Sequence, residues 1–302
     1  MSLRPVKSIV DAKPTMEGAG VKLHRAFGFG ETEAFDPFLL FDDFRNDRPE
    51  DYLKGFPWHP HRGIETITYV LAGSVEHGDS LGNRGTLGAG DVQWMTAGSG
   101  IMHQEMPSGD EAGRMHGFQL WANLPSSLKM TDPRYQDVPA SEVPEVIDDD
   151  GTVVRVVCGD FWGKTGPVDG VAASPRYLDI SVPPGKRKVL PIETTRHAFA
   201  YVFTGSGSFR DSSEPFGVLT ERGLEDNKEI LVREQTGNRS LVLFDSGDEI
   251  VVQAGDEGIR FLLVSGEPIK EPVAWYGPIV MNTREELQQA INDLRGGTFI
   301  KS

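Results

Sequence analysis

Two short pairs of side chains have the chemistry and spacing to bind a metal ion. His59 and His61 are separated by one residue, and so are His103 and Glu105. Successive side chains of a strand point to opposite faces, so each pair would present both of its side chains on one face. Imidazole together with carboxylate suits Fe, Mn, Co, Ni, Cu or Zn. The spacing therefore predicts one divalent metal ion, held by these four ligands where the two segments meet.

The composition of this ligand set favours an open site. Cys158 is the single cysteine, so the chain has no thiolate cluster for a closed structural zinc site and no internal disulfide. A six-coordinate ion with four protein ligands keeps about two positions for dioxygen or a chelating substrate. Catalysis is then chemically feasible, with Glu105 as the candidate base.

Side chains beside the two pairs are candidates for the walls of a pocket. Glu65 would share a strand face with His61, which makes it either a partner of a ligand or a competitor for the ion. Arg62 and Gln119 are candidates for orienting a substrate oxygen. The candidate apolar walls are Phe56, Trp58, Trp94 and Met102. Ordinary packing in a barrel core is the alternative for each apolar residue.

Short strands must position these groups. Apolar runs at residues 66–71 and 198–203 precede turns at Gly73 and Gly205, and the chain contains 35 glycines and 20 prolines. Such runs between turns predict an all-β fold of sandwich or barrel type. The exception is a short C-terminal helix, predicted from the capping box of Thr283 and Glu286, with a stop at Gly296.

Two matches in the same order indicate an internal duplication. Setting Gly73 against Gly205 aligns the two apolar runs, and Gly90-Asp91 and Gly247-Asp248 are each followed seven residues later by Ala-Gly.

An acidic, proline-containing connector at 139–152 predicts two domains, 1–140 and 141–302. This alignment predicts that the second domain lacks metal ligands, because the aligned residues are Pro191, Glu193, Arg260 and Leu262. His197 is then expected to be structural.

Charge and hydropathy narrow the list of partners. The net charge of −15 opposes contact with nucleic-acid phosphates, so direct nucleic-acid binding is not expected. No stretch approaches about 18 uninterrupted apolar residues, and the N-terminus lacks the pattern of a secretion signal. We therefore expect a cytoplasmic monomer without membrane contact.

The whole chain resembles the pirin family, two-domain members of the cupin superfamily. The resemblance lies in residues 38–44 (FLLFDDF), 59–63 (HPHRG), 93–103 (QWMTAGSGIMH), 119–121 (QLW), 277–278 (GP) and 281–283 (MNT). It implies two tandem cupin-type β-barrels, a bicupin. It also implies that His59, His61, His103 and Glu105 bind a non-haem iron, Fe(II), in the first barrel. Most cupins use a carboxylate placed like Glu65 instead, and pirins use the one at Glu105.

The resemblance implies two kinds of function. Some pirins resemble quercetinases, so one expectation is a quercetin 2,3-dioxygenase-type enzyme with a small aromatic, flavonol-like substrate. A flavonol offers vicinal oxygens that can chelate the ion. The alternative is an iron-dependent redox-sensing co-regulator that contacts a transcription factor or a metabolic enzyme. The acidic charge fits a basic protein partner in that case.

Overall fold

The computed structural model describes residues 2–209 and 235–301, which are mostly β-strand. The strands of the first half are β1 (Val6–Asp11), β2 (Lys13–Glu17), β3 (Val21–Phe27), β4 (Phe38–Asp43), β5 (Phe56–His61), β6 (Ile64–Ala72), β7 (Ser74–Asp79), β8 (Arg84–Leu87), β9 (Val92–Thr96), β10 (Ile101–Ser108), β11 (His116–Asn123) and β12 (Arg134–Val138). Those of the second half are β13 (Glu145–Ile147), β14 (Val153–Cys158), β15 (Asp160–Phe161), β16 (Lys164–Thr165), β17 (Arg176–Val182), β18 (Arg187–Pro191), β19 (His197–Ser208), β20 (Thr236–Gly237), β21 (Ser240–Phe244), β22 (Glu249–Gly266), β23 (Ala274–Tyr276) and β24 (Ile279–Met281).

Helical structure is confined to a few short segments of the described chain. The α-helices are α1 (Thr32–Phe35) and α2 (Arg284–Gly296), and single 3₁₀ turns cover Pro49–Asp51, Ser126–Leu128 and Ala140–Glu142. Helix α2 begins at the predicted capping box, in which Glu286 N donates to Thr283 Oγ1. It ends with Gly297 in the left-handed region at φ 72°, one residue after the predicted stop. Among the described residues, no helix has the length and apolar character needed to cross a membrane.

The strands form two similar halves. In the first, a seven-stranded sheet of order β12-β9-β6-β11-β4-β3-β2 faces a four-stranded sheet of order β5-β10-β7-β8. We call this half the N-terminal barrel. In the second, strands follow the equivalent order β1-β21-β19-β22-β17-β14-β13, with β18 and β20 attached to β22 and β19. This half is the C-terminal barrel. The shared order confirms the predicted all-β, two-barrel fold with a short C-terminal helix.

The first strand of the chain belongs to the second barrel. β1 pairs with β21, in the position that β12 occupies beside β9 in the N-terminal barrel. The C-terminal barrel therefore takes one outer strand from the beginning of the chain. The domain boundary near residue 140 stays a prediction.

The large sheets of the two barrels pack against each other. Their shared core contains Phe41, Phe118, Phe199 and Leu262, all buried, which explains why β6 and β19 are buried on both faces over most of their length. The interface is also reciprocal in its polar contacts. The hydroxyl of Tyr69 donates to Asp179 at 2.7 Å, and that of Tyr201 donates to Asp43 at 2.8 Å. This pair of contacts supports the alignment of Gly73 with Gly205, because that alignment makes Tyr69 and Tyr201 equivalent residues of the two barrels.

Candidate metal centre

Two neighbouring strands of the four-stranded sheet carry the predicted ligands. β5 and β10 are antiparallel partners, with His59 opposite His103 and His61 opposite Ile101. The register shifts between His103 and Glu105, where the ladder has a bulge. The predicted alternation holds, because His61, His103 and Glu105 are all buried inside the barrel.

Three imidazoles converge at one point. The ring nitrogens of His59, His61 and His103 that face one another all lie within 4.8 Å. The Nε2 atoms of His59 and His61 are 3.1 Å apart. Two metal–nitrogen bonds of about 2.1 Å at a right angle span about 3 Å, so this spacing suits two ligands of one ion.

The other nitrogen of two of these rings is held by a carbonyl. His59 Nδ1 lies 2.9 Å from the Pro57 carbonyl oxygen, and His61 Nδ1 lies 3.2 Å from that of Pro278. A carbonyl oxygen only accepts, so both rings donate from Nδ1 and keep the Nε2 lone pair free. Metal-binding histidines are commonly oriented in this way.

The burial of these rings also fits a metal ion. Both ring nitrogens of His103 are buried without a hydrogen-bond partner, which is costly for polar atoms unless something binds them. Burial lowers the pKa of His59, and it lowers the pKa values of His61 and His103 well below the usual range. The imidazoles are therefore neutral at pH 7, the form that binds metals.

Glu105 lies beside the three histidines but outside their close group. Among the described residues that group contains only His59, His61 and His103. Thr68 Oγ1 lies 3.1 Å from Glu105 Oε1 and 2.7 Å from Gln119 Oε1. One hydroxyl proton cannot serve both acceptors, so a protonated Glu105 would donate to Thr68. Burial raises the pKa of Glu105 to about 7. Its role as the fourth ligand stays a prediction.

A cavity of about 650 Å³ opens onto this centre. His59, His61 and Glu105 lie in its wall. Trp121 packs edge-on against His61, with ring centroids 5.0 Å apart. Other lining residues are Leu40, Phe44, Phe56, Thr68, Gln119, Phe29, Trp275 and Pro278. Mostly apolar walls with a few polar groups are typical of a binding site for a small aromatic molecule.

The predicted wall residues divide into two groups. Phe56 and Gln119 lie in the wall of the cavity, and their roles toward a substrate stay predictions. Trp58 instead lies half-exposed on the outer face of the sheet, in a separate depression of about 350 Å³. Trp94 is fully buried in the core between the barrels, and Met102 is half-buried and outside the residues that line the cavity. Ordinary packing, the stated alternative, therefore describes Trp94.

Two charged candidates hydrogen-bond away from the three histidines and lie outside the residues that line the cavity, which corrects their predicted roles. Arg62 donates to Asp293 and to the carbonyl of Phe299, both in the C-terminal segment. Glu65 accepts from Thr96 at 2.8 Å and is buried behind the sheet. The turn at Gly63, with φ +76°, separates β5 from β6, so strand alternation does not carry over from His61 to Glu65.

Several site residues were absent from the predicted set. Thr68, Trp121, Trp275 and Pro278 all line the cavity. Thr68 shares a face with Gln119 across paired strands, and Trp121 follows Gln119 by two residues. Period-two alternation could have found Trp121. Trp275 and Pro278 come from a distant part of the chain; residues 277–278 carry part of the family resemblance, but strand alternation does not place either residue at this site.

The C-terminal barrel carries aliphatic residues at three of the four corresponding positions and Lys188 at that of His59. The structure also corrects the register of the second sequence match. Tyr69 pairs with Val92 and Tyr201 with Leu241. Nine residues after these partners, Ile101 stands opposite His61 and Ile250 opposite Leu190. His103 and Glu105 thus correspond to Val252 and Ala254, and His61 corresponds to Leu190. The predicted counterparts Pro191, Glu193, Arg260 and Leu262 were wrong, although the C-terminal barrel's lack of a ligand set stays the expectation.

Comparisons with known proteins agree with the fold of two similar barrels. The family model named Pirin matches residues 20–122, and the model of the pirin C-terminal cupin domain matches residues 177–300. A pirin-like protein of Caulobacter vibrioides is 43% identical over 300 residues, covering 99% of this chain and 100% of that protein. Human pirin is 38% identical over 297 residues, covering 97% and 93%. A crystal structure of quercetin 2,3-dioxygenase from Acinetobacter baumannii superposes with a TM-score of 0.85 at 29% identity, covering 98% of both chains.

Proposed function

The chain belongs to the pirin family, with two cupin domains, and on that premise we propose that it is a metal-dependent dioxygenase of the quercetin 2,3-dioxygenase type. The observation that carries the proposal is the convergence of three neutral imidazoles on the wall of a largely apolar cavity. The similarity to the Acinetobacter baumannii quercetin 2,3-dioxygenase supports the same activity.

In this proposal His59, His61, His103 and Glu105 hold one ion, Fe(II). The imidazole and carboxylate donors suit this metal, although Mn, Co, Ni, Cu and Zn accept the same ligands. When bound, the metal supplies a Lewis acid that polarises coordinated oxygen atoms and lowers the pKa of a coordinated hydroxyl.

The side chains of the cavity would then position and deprotonate the substrate. Trp121 and Phe56 offer apolar surface to a planar ring and exclude water from the centre. Burial raises the pKa of Glu105 to about 7 in the metal-free protein, and its carboxylate is the group placed to take a proton from the substrate. Thr68 lies within hydrogen-bond distance of both Glu105 and Gln119, so it links the base to the amide that orients the substrate.

Aerobic incubation of the iron-loaded protein with quercetin tests this proposal. Metal-dependent loss of the flavonol absorbance, with the apoprotein as control, is the expected result. Absence of turnover with Fe, Mn, Co, Ni and Cu, each in a protein shown to bind the metal, would contradict it.

A second candidate function is an iron-dependent co-regulator that binds another protein. The net charge of −15 favours this candidate, because an acidic surface attracts a basic partner. A pull-down that compares ferrous and ferric protein tests it. Retention of the same partner by both oxidation states would remove the redox-sensing role.

A further inference from the structure

A segment that follows the C-terminal barrel contacts the predicted metal centre of the N-terminal barrel. We infer that residues 274–300 position the ligand His61, with the Pro278 carbonyl fixing its ring and the Arg62–Asp293 ion pair holding the segment in place. The inference rests on the proposed metal-binding function. It assigns a role at the metal to residues that lie more than two hundred positions away in the sequence.

The hydrogen bond to His61 comes from the turn of a hairpin. β23 and β24 are antiparallel partners, and Gly277 and Pro278 connect them at the cavity wall. The Pro278 carbonyl lies 3.2 Å from His61 Nδ1, so the ring keeps its proton there and directs Nε2 toward His59. Loss of such a contact to a metal-binding histidine typically costs about 10–100-fold in metal affinity.

The hairpin is also fastened to the two residues that follow His61. Val280 N donates to the Arg62 carbonyl at 3.0 Å. A Cβ atom on Gly63 would lie 1.9 Å from the Val280 carbonyl oxygen, so this position admits only glycine. The buried Lys129 ammonium bridges the two strands, because Nζ donates to the Gly63 and Val280 carbonyls at 2.7 and 3.0 Å.

The side chain of Arg62 anchors the remainder of the segment. It is only 2% exposed and donates to Asp293 Oδ2 and to the Phe299 carbonyl, both at 2.8 Å. Its guanidinium lies 4.2 Å from the centroid of the Phe299 ring. Arg62, Gln289 and Lys301 hold the pKa of Asp293 well below its usual range. The ion pair therefore persists at neutral pH and ties α2 to the end of β5.

The other oriented ligand provides an internal contrast. The ring of His59 is held by Pro57, two residues earlier in the same strand. Its orientation is local, whereas that of His61 depends on a distant segment. Loosening the distant segment should thus weaken the metal site while β5 and the barrel remain folded.

The experiment measures Co(II) affinity and the visible Co(II) absorption spectrum of Pro278→Gly, a substitution that loosens the turn. Pro272→Gly is the matched control, because Pro272 lies two residues before the segment and its carbonyl accepts from Asn282 instead of from His61. We expect about 10–100-fold weaker binding and an altered spectrum for Pro278→Gly, and wild-type values for Pro272→Gly. Wild-type affinity and spectrum in a folded Pro278→Gly would overturn the inference.

A second variant tests the Arg62–Asp293 ion pair without leaving a buried charge unpaired. Arg62→Met combined with Asp293→Leu replaces the ion pair by apolar groups of similar size, which proteins often tolerate. We expect a folded protein with weakened Co(II) binding. If it binds Co(II) as the wild type does, the ion pair is only structural and that part of the inference fails.

A third measurement needs no variant. Nitrogen-15 NMR of the metal-free wild type should show the His61 proton on Nδ1, and a proton on Nε2 would contradict the role of Pro278.

The outcomes of these experiments distinguish failure of the inference from failure of the proposed function. A wild type that binds no metal refutes both, an unaffected Pro278→Gly refutes only the inference, and a metal-loaded protein inert toward quercetin refutes only the dioxygenase activity.

Discussion

In the N-terminal barrel, the paired strands β5 and β10 direct His61, His103 and Glu105 inward. In the C-terminal barrel, the corresponding strands β18 and β22 direct Leu190, Val252 and Ala254 into an apolar core. The strand order is the same in both. The C-terminal barrel shows that this fold packs well with apolar residues at these positions, so the fold itself does not require the buried imidazoles of the N-terminal barrel.

Removing a predicted ligand should have the largest effect on the difference in metal binding between the two barrels. His103→Ala should lower metal affinity at least about 100-fold, because the ion loses one of three converging imidazoles. His197→Ala, in the C-terminal barrel, is the control and should bind metal as the wild type does. Isothermal titration with Co(II) measures both, and equal losses in the two variants would contradict a single site in the first barrel.

Exchanging the corresponding residues tests whether the aliphatic core tolerates a ligand. Val252→His should cost about 4 kcal/mol of unfolding free energy, from overpacking and an unpaired imidazole. His103→Val should cost less than about 1 kcal/mol in the metal-free protein, because it removes two unpaired buried nitrogens. Urea unfolding of both apoproteins measures the difference. A larger loss in His103→Val would show that the imidazole stabilises the fold.

Glu105 should make the free energy of unfolding of the metal-free protein depend on pH. Its pKa is about 7 in the folded state and about 4.5 in an unfolded chain. Between these values the folded state binds more protons, so stability present below pH 4.5 is lost as pH rises through 7, by about 3 kcal/mol in total. Glu105→Gln should remove this dependence. Urea unfolding between pH 4 and 8 measures it, and an unchanged slope in the variant would assign the effect to another group.

The two tyrosine hydrogen bonds at the interface between the barrels should contribute equally to stability. Tyr69→Phe and Tyr201→Phe each remove one hydrogen bond to a buried carboxylate, and each should cost about 2 kcal/mol. Thermal or urea unfolding of the two variants gives the comparison. A difference of several kcal/mol between them would mean that the two barrels do not share the interface equally.

Local patterns predicted much of the structure. The paired spacing of His59, His61, His103 and Glu105 placed the ligand segments on strands, and the capping box of Thr283 and Glu286 located α2. Both signals lie within a few residues, where strand alternation and helix capping act.

Long-range geometry accounts for what the sequence did not reveal. The direction of Arg62 depends on Asp293, and the wall of the cavity includes Trp275. The turn at Gly63 reverses the face on which Glu65 would fall. The second internal match aligned Gly90 with Gly247, whereas strand pairing aligns Gly98 with Gly247, because a repeated Gly-Asp pair does not define a register by itself.

The number of metal ions bound per chain tests the central claim most directly. Titration of the purified apoprotein with Fe(II) or Co(II), checked by elemental analysis after desalting, should give one equivalent. The same titration of a His59→Ala, His61→Ala, His103→Ala triple variant, shown to be folded, should give none. Two equivalents in the wild type, or one retained in the triple variant, would contradict a single centre in the N-terminal barrel.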